Sequence, residues 1–443
     1  MAGHFNRAER SERSTRRRVA ARIVQQAPRA IIPALALLLL PLAACSDDPP
    51  PPTYSGAGYD DVATLMQRTL AKRARGLRTH DLTRFRKALD RSDAGLLEEQ
   101  QTYFDNLARL PVGELHYEVA ADTITPVEGS EDYWVEVVLS LGLDGYDAAP
   151  ARTRDRFLFT PSPDGRRLVI TSTTDYSWET AHPGNVQPWD VGPIRVEQAV
   201  GVLGVFDDTT VRHAGKVLDA ASGGRSDVRG VVGSTSADAP SGVIVYSLRD
   251  PAFLRGLADQ TVGDPDRADG LTIAVPVDGM DANQGVASYR IFLNPRVLEQ
   301  PVGVLGRLVR HELTHAVLGS RGRGAPLWLG EGVAEYVSVQ PVAPTRRRLP
   351  ARALDLAGTV TDLPGAAEFA GPDAEAWYAV SWWVCEYVAS LYGPPTLFLL
   401  LDRLADGADQ AQVLTEVLGV TPAQLAQRGV GLMQRTYSGQ EGS

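Results

Sequence analysis

The run His311-Glu312-Leu313-Thr314-His315 places two imidazoles four residues apart in a stretch that reads as a helix. Four residues is just over one turn, so both rings share a face and can reach a single zinc ion, whose bonds to histidine nitrogen are about 2.0–2.1 Å. Glu312 is turned about 100° from His311, to the edge of that face, where its carboxylate can touch water at the ion without being a ligand. The chain has only seven His, and neither His182 nor His213 has a partner at ligand spacing, so both are read as surface or core side chains. Pro301 suits the first turn of the helix, and Gly319 ends it after Leu318. Upstream, residues 196–206 read as strand-like or mixed and 209–221 as a helix, while 243–248 and 271–277 look like buried strands. Residues 288–293 alternate as an exposed edge strand does, and Asn294-Pro295 stops them.

A catalytic zinc takes three protein ligands and keeps one position open, so a third donor is expected nearby. The segment Trp328-Leu329-Gly330-Glu331-Gly332-Val333-Ala334-Glu335-Tyr336 resembles one found in gluzincin metallopeptidases. That resemblance implies Glu331 as the third ligand. The residues agree, because Glu331 and Glu335 stand one turn apart on one face of a short helix. Glu335 is then expected to accept the other N–H of a ligand imidazole, that of His311. The competing reading has the two carboxylates merely solvating a surface helix. Against it stands the apolar approach Pro326-Leu327-Trp328-Leu329, which directs the helix into a core where unpaired carboxylates are costly.

Some 40 residues on, Trp377-Tyr378-Ala379-Val380-Ser381-Trp382-Trp383 opens a further helix running to about Tyr392, which Gly393-Pro394-Pro395 ends. The gluzincin resemblance implies that Tyr378 donates to the oxyanion of a tetrahedral intermediate; the other reading packs it among Trp377, Trp382 and Trp383. The Lys-Gly that commonly follows this tyrosine in the aminopeptidase group is absent, as is a clear glycine-rich exopeptidase motif, so aminopeptidase specificity is not implied. The implied reaction is hydrolysis of peptide bonds in a peptide or protein substrate. Zn2+ polarises the carbonyl and acidifies its bound water, and Glu312 takes the proton and passes it to the leaving amine. An extended substrate would pair with the edge strand at 288–293 or a neighbouring strand.

Residues 59–178 read as a separate, smaller unit. Two helical stretches are followed by strand-like runs at 115–119, 133–141, 154–160 and 167–172, a helices-then-sheet order similar to the cone-shaped nuclear transport factor 2-like family. Such a fold often lines a pocket. His116 or Tyr117 would face it, although a lone His beside a Tyr in an alternating strand is more often packed or solvated. Residues 179–193, rich in Pro and Gly, read as a linker to a zinc metallopeptidase domain over 194–440. The expected fold class is α+β: a small cone-like domain of helices and antiparallel sheet, then a gluzincin-type domain of mixed sheet and helices.

With 44% hydrophobic and 22% charged residues the chain is of ordinary globular composition, and its net charge of −10 offers no basic excess for nucleic acid. Residues 1–29 carry eight Arg, and residues 30–42 are almost wholly aliphatic but too short to span a bilayer, which reads as a signal peptide over 1–44. It ends in Leu42-Ala43-Ala44-Cys45, which resembles a bacterial lipobox and implies lipidation at Cys45, a membrane anchor on the outer face of the cytoplasmic membrane; the other reading is a plain signal peptide with an incidental Cys. Residues 45–58, with Pro49, Pro50, Pro51 and Pro52, form a stiff spacer. Only Cys385 follows, read as a buried small hydrophobe, so stability comes from packing and not from disulfides. Arg346-Arg347-Arg348 reads as a solvated loop. A rival function is a non-catalytic, zinc-containing lipoprotein that binds through its cone-like part, although folding alone does not require Glu312. A purely structural zinc would call for four ligands, usually including Cys.

Overall fold

The computed structural model describes residues 59–182, 186–233, 242–251, 253–254, 268–279 and 281–438; Cys45, the signal segment and the spacer lie outside them. Helices α1 (Tyr59–Arg78), α2 (Leu82–Arg86) and α3 (Ala94–Leu107) come first. They precede β1 (Val112–Val119), β2 (Thr125–Pro126), β3 (Tyr133–Leu143), β4 (Ala151–Pro161) and β5 (Leu168–Ser172). Next are α4 (Tyr176–Ala181), β6 (Arg195–Ala199), β7 (Val202–Phe206), α5 (Ala214–Val232), β8 (Val243–Ser247), β9 (Gly270–Asp278) and β10 (Asp281–Leu293). Helices follow: α6 (Val302–Leu318), α7 (Leu327–Val339), α8 (Ala353–Ala357), α9 (Ala366–Ala370), α10 (Ala374–Tyr392), α11 (Pro394–Ala405), α12 (Gln410–Leu418) and α13 (Pro422–Ser438). The early helices start where the chain supplies a cap: Asp81 accepts from Arg84 N, Asp93 from Gly95 and Leu96 N, and Asp175 from Ser177 and Trp178 N.

The fold mixes α and β around one mixed sheet in the order β1-β3-β4-β9-β10-β8-β7-β6, with β2 added on β3 and β5 on β4. The antiparallel N-terminal strands join the remainder at one parallel register pair, Arg152 with Asp278. Strands β10, β8 and β7 run parallel and are buried on both faces, so their side chains divide by alternation between two cores. Val243, Val245 and Ile291 face the core under α5, α6, α7 and α10. Ile244, Tyr246 and Phe292 point the other way, into a core shared with Met66, Phe85 and Phe104 of the leading helices. No helix among the described residues is long and apolar enough to cross a membrane.

Two expectations change here. Residues 288–293 are not an edge: β10 pairs with β9 throughout that run and with β8 at 290–292. The open side belongs to β9, which among the described residues meets β4 only at Asp278. The polar members that mimic an exposed face, Ser288 and Arg290, are buried at 1% and 3% exposure and bonded to each other. The linker read at 179–193 begins inside α4, and part of its described remainder is packed. Trp189 and Ile194 are buried in the second core, and Asn106 Nδ2 donates to both Trp189 O and Gly192 O at 2.8 Å.

Candidate metal centre

Helix α6 is amphipathic at the pitch its sequence requires. Leu305, Val309 and Leu313 are buried in the core, while Arg307, His311 and His315 follow one another at four-residue spacing along the neighbouring face. Helix α7 packs against it. The apolar approach to α7 is buried as its composition requires, Trp328 at 1% and Leu329 at 0% exposure, with Trp328 Nε1 donating to Gln410 at 2.8 Å. The close seating of α7 on α10 depends on Gly332, where a Cβ would fall 2.6 Å from Ser381 O and 2.7 Å from Cys385 Sγ. Cys385 itself is buried, and burial raises its thiol pKa.

This packing brings His311, His315 and Glu331 together. The two Nε2 atoms are 3.2 Å apart, and Glu331 Oε2 lies 3.2 Å from His311 Nε2 and 3.4 Å from His315 Nε2. A tetrahedral ion with bonds of about 2.0–2.1 Å has ligand-to-ligand edges of about 3.3–3.4 Å. The observed triangle therefore has the size of one face of such a site, and two imidazoles with a carboxylate are a donor set suited to zinc. Among the described residues no fourth His, Cys, Asp or Glu joins the three. They border a cleft of ≈860 Å³.

Glu335 lies behind the triangle. Its Oε1 is 3.1 Å from His311 Nδ1, on a line bent from that of an ideal N–H···O bond, and its Oε2 accepts from Arg307 Nη2 at 2.5 Å. Burial alone would raise Glu335, but His311 and Arg307 outweigh it and hold the carboxyl down at about 2. Glu331 is likewise held well below the usual carboxylate range, its burial outweighed by His315 and His311. Those acids keep the His311 imidazolium favoured despite burial.

Glu312 is 5% exposed and points to the cleft at the edge of the triangle. Burial raises its pKa, against the attraction of the two imidazoles. Its position depends on β9. Thr272 Oγ1 lies 2.8 Å from both Glu312 Oε2 and Glu312 O, and a Cβ at Gly270 would stand 2.7 Å from Glu312 Oε1. Tyr378, on the first turns of α10, lines the same cleft; its ring centroid is 6.2 Å from that of His311 and 5.1 Å from that of Phe369. Burial first, then the neighbouring Glu331, Glu312 and Glu335, raise the phenol well above its ordinary value, so it stays a donor.

All six side chains singled out for this chemistry thus meet in one cleft. Sequence reasoning passed over Thr272, Gly270 and Arg307. Arg307 had a visible signal, standing one turn before His311, whereas the β9 residues lie some 40 positions from Glu312 in sequence and carry none. His182 and His213 stay apart from this cluster: His182 stacks on Trp178 with centroids 4.3 Å apart, and His213 lies 3.2 Å from Glu299. The basic run divides, since Arg346 and Arg348 are exposed but Arg347 is tucked against Glu386 at 3.3 Å. No protein-family model matches this chain, and no curated protein is similar enough to match it.

Proposed function

We propose that the protein is a zinc-dependent metallopeptidase of gluzincin type, preceded by a cone-like α+β part and tethered by lipid at Cys45 to the outer face of the bacterial cytoplasmic membrane. The observation that carries this reading is the His311–His315–Glu331 triangle, with edges of 3.2–3.4 Å, facing a cleft beside the Glu312 carboxylate. His311, His315 and Glu331 would hold the ion; when bound it supplies a Lewis acid that polarises the scissile carbonyl and acidifies water.

The chain's own residues supply the rest. The side of β9 away from β10 carries Gly270, Leu271, Thr272 and Ala274 along the cleft, an edge unpaired among the described residues, against which an extended peptide forms backbone hydrogen bonds that do not depend on its sequence. Glu312 takes one proton from the attacking water as its oxygen bonds the carbonyl carbon. The same carboxyl then delivers that proton to the amide nitrogen as the C–N bond breaks, leaving a free acid and a free amine. Thr272 fixes the carboxyl for both transfers. Tyr378 donates its O–H toward the oxyanion. A purely structural ion is disfavoured, because among the described residues no fourth ligand closes the site.

The deciding experiment measures zinc by elemental analysis and follows cleavage of a mixed peptide library by wild type and Glu312→Gln. Stoichiometric zinc in both, with activity lower by about 10²-fold or more in the variant, supports the reading. Equal activity with metal retained removes Glu312 as the base. Cys45→Ala should move the protein from the membrane fraction to the medium.

A further inference from the structure

A second cavity, ≈420 Å³, is bounded by α1, α3, β1, β3 and β4 and closed by α4 and the 186–193 segment; it shares no lining residue with the metal cleft. Its volume lies at the low end of ligand pockets, about 300–1,000 Å³. Strand alternation sends Tyr117 into it, while His116 faces outward and lies 3.4 Å from Glu114.

The cavity is lined by a cation no core requires. Arg73 is 1% exposed, and its guanidinium carbon sits 4.6–5.7 Å from the rings of Phe85, Tyr103, Tyr117 and Phe157. Its hydrogen-bond partners are neutral: Nη2 donates to Gln100 Oε1 at 2.6 Å and Nε to Tyr117 OH at 3.4 Å. Aromatic faces offset part of the desolvation, but among the described residues Nη1 has no acceptor. Trp189 Nε1, on a side chain 3% exposed, has none either. An unmet buried donor is costly, so two of them on residues that line one cavity call for an acceptor from outside the chain.

The opposing chemistry is acidic. Asp155 and Asp190 border the cavity, each with one oxygen engaged by a backbone N–H, from Arg156 at 2.7 Å and from Gln187 at 2.8 Å. Glu99 and Glu179 lie on the same lining, whereas Arg154 is paired with Glu136 at 3.2 Å. Burial, with Asp190 adding repulsion, raises Asp155 to about 8, the behaviour of an acid short of a counter-cation. A simple anion would meet this acid wall, and a simple cation would leave Arg73 and Trp189 unmet.

We propose that the cavity binds a small zwitterion, a free α-amino acid or short peptide, its carboxylate held on the side of Arg73 and Trp189 and its ammonium by Asp155 and Asp190. The aromatic walls favour an apolar side chain, and the site is independent of hydrolysis at the metal centre.

The test is calorimetric titration of the full chain carrying Glu331→Gln, which disables the metal centre and leaves this cavity intact. Probes are phenylalanine, Leu-Leu, phenethylamine, hydrocinnamate and glucose. Either phenylalanine or Leu-Leu should bind, and which of them binds tighter separates the free acid from the peptide. Phenethylamine and hydrocinnamate, each lacking one charge, should bind at least about tenfold more weakly. Asp190→Asn, at a side chain facing the cavity, should weaken the zwitterion about tenfold or more, and Arg73→Lys should do the same by removing the fork. The proposal is overturned if neither zwitterion binds, if a singly charged analogue or glucose binds as well, or if folded Asp190→Asn binds unchanged. Should Arg73→Lys not fold, the probe series and Asp190→Asn still decide.

Discussion

Arg290 of β10 and Asp147, in the connection between β3 and β4, form an ion pair with Nη2 at 3.0 Å from Oδ1 and 3.2 Å from Oδ2, their side chains 3% and 1% exposed. The remaining groups are engaged as well. Arg290 donates to Tyr246 OH at 2.9 Å and Ser288 Oγ at 3.2 Å, and Asp147 Oδ2 accepts from Leu143 N at 2.9 Å. The network ties the antiparallel strands to the strands that lead into the candidate metal centre. Removing one partner leaves a sealed, unpaired charge, so Asp147→Ala should cost about 3–5 kcal/mol by denaturant unfolding. Asp147→Leu combined with Arg290→Met should recover most of that loss. A cost below about 1 kcal/mol for the single change would mean that the pair holds nothing together.

Glu335 touches His311 Nδ1 on one side and Arg307 on the other, so it sets the orientation of the imidazole without needing to bind the ion. Glu335→Gln should weaken zinc binding by about 10–100-fold in a chelator competition at fixed pH, with the fold retained. Arg307→Ala should act in the same direction and add little to Glu335→Gln, because its influence passes through that carboxylate.

The residues of the candidate centre were legible because their relationship is local: one helical turn joins His311 to His315 and another joins Glu331 to Glu335. Their convergence, with edges of 3.2–3.4 Å, depends on α6 meeting α7, which spacing only implies. Which strand forms the edge was not legible, since pairing is a long-range property. Ser288 and Arg290 alternate with apolar neighbours as solvent-facing residues do, yet they serve a buried ion pair. Similarly, the Pro and Gly of residues 179–193 read as a linker, while Trp189 is tied down by an asparagine 83 positions away.

Asp155 gives the fold a pH dependence of definite sign. Its folded pKa of about 8 lies above the ordinary 3.8, so the folded state holds a proton that the unfolded chain releases. Stability contributed by the neutral carboxyl is complete below about pH 4 and declines as pH rises toward 8. The groups facing it are Asp190, Glu179 and Arg73. Asp155→Asn should match wild type in thermal stability at pH 4 and exceed it at pH 8 by about 1–2 kcal/mol, discounted because water reaches the cavity. Wild type gaining on the variant as pH rises would contradict this assignment.

Gly332 permits the contact of α7 with α10 and lies next to Glu331. Gly332→Ala must displace backbone at Ser381 and sulfur at Cys385, so it should cost about 1–3 kcal/mol. Because the displacement moves Glu331, zinc content should fall with stability. Gly330→Ala, one residue before Glu331, meets nothing within 4 Å and should retain both. Thermal unfolding and elemental analysis on the same samples check the pair.

Tyr378 could act through its hydroxyl or through its ring, and Phe separates the two. The ring packs against Phe369 at 5.1 Å and faces His311 at 6.2 Å, contacts that Tyr378→Phe keeps. If the O–H donates to the oxyanion, kcat should fall by about 10²-fold while zinc content, KM and unfolding midpoint stay near wild type. Burial and three nearby carboxylates keep the phenol protonated throughout the neutral and mildly alkaline range, so its loss should not shift the pH profile there. A variant with unchanged kcat would assign Tyr378 to packing, and the oxyanion would then need another donor from the cleft.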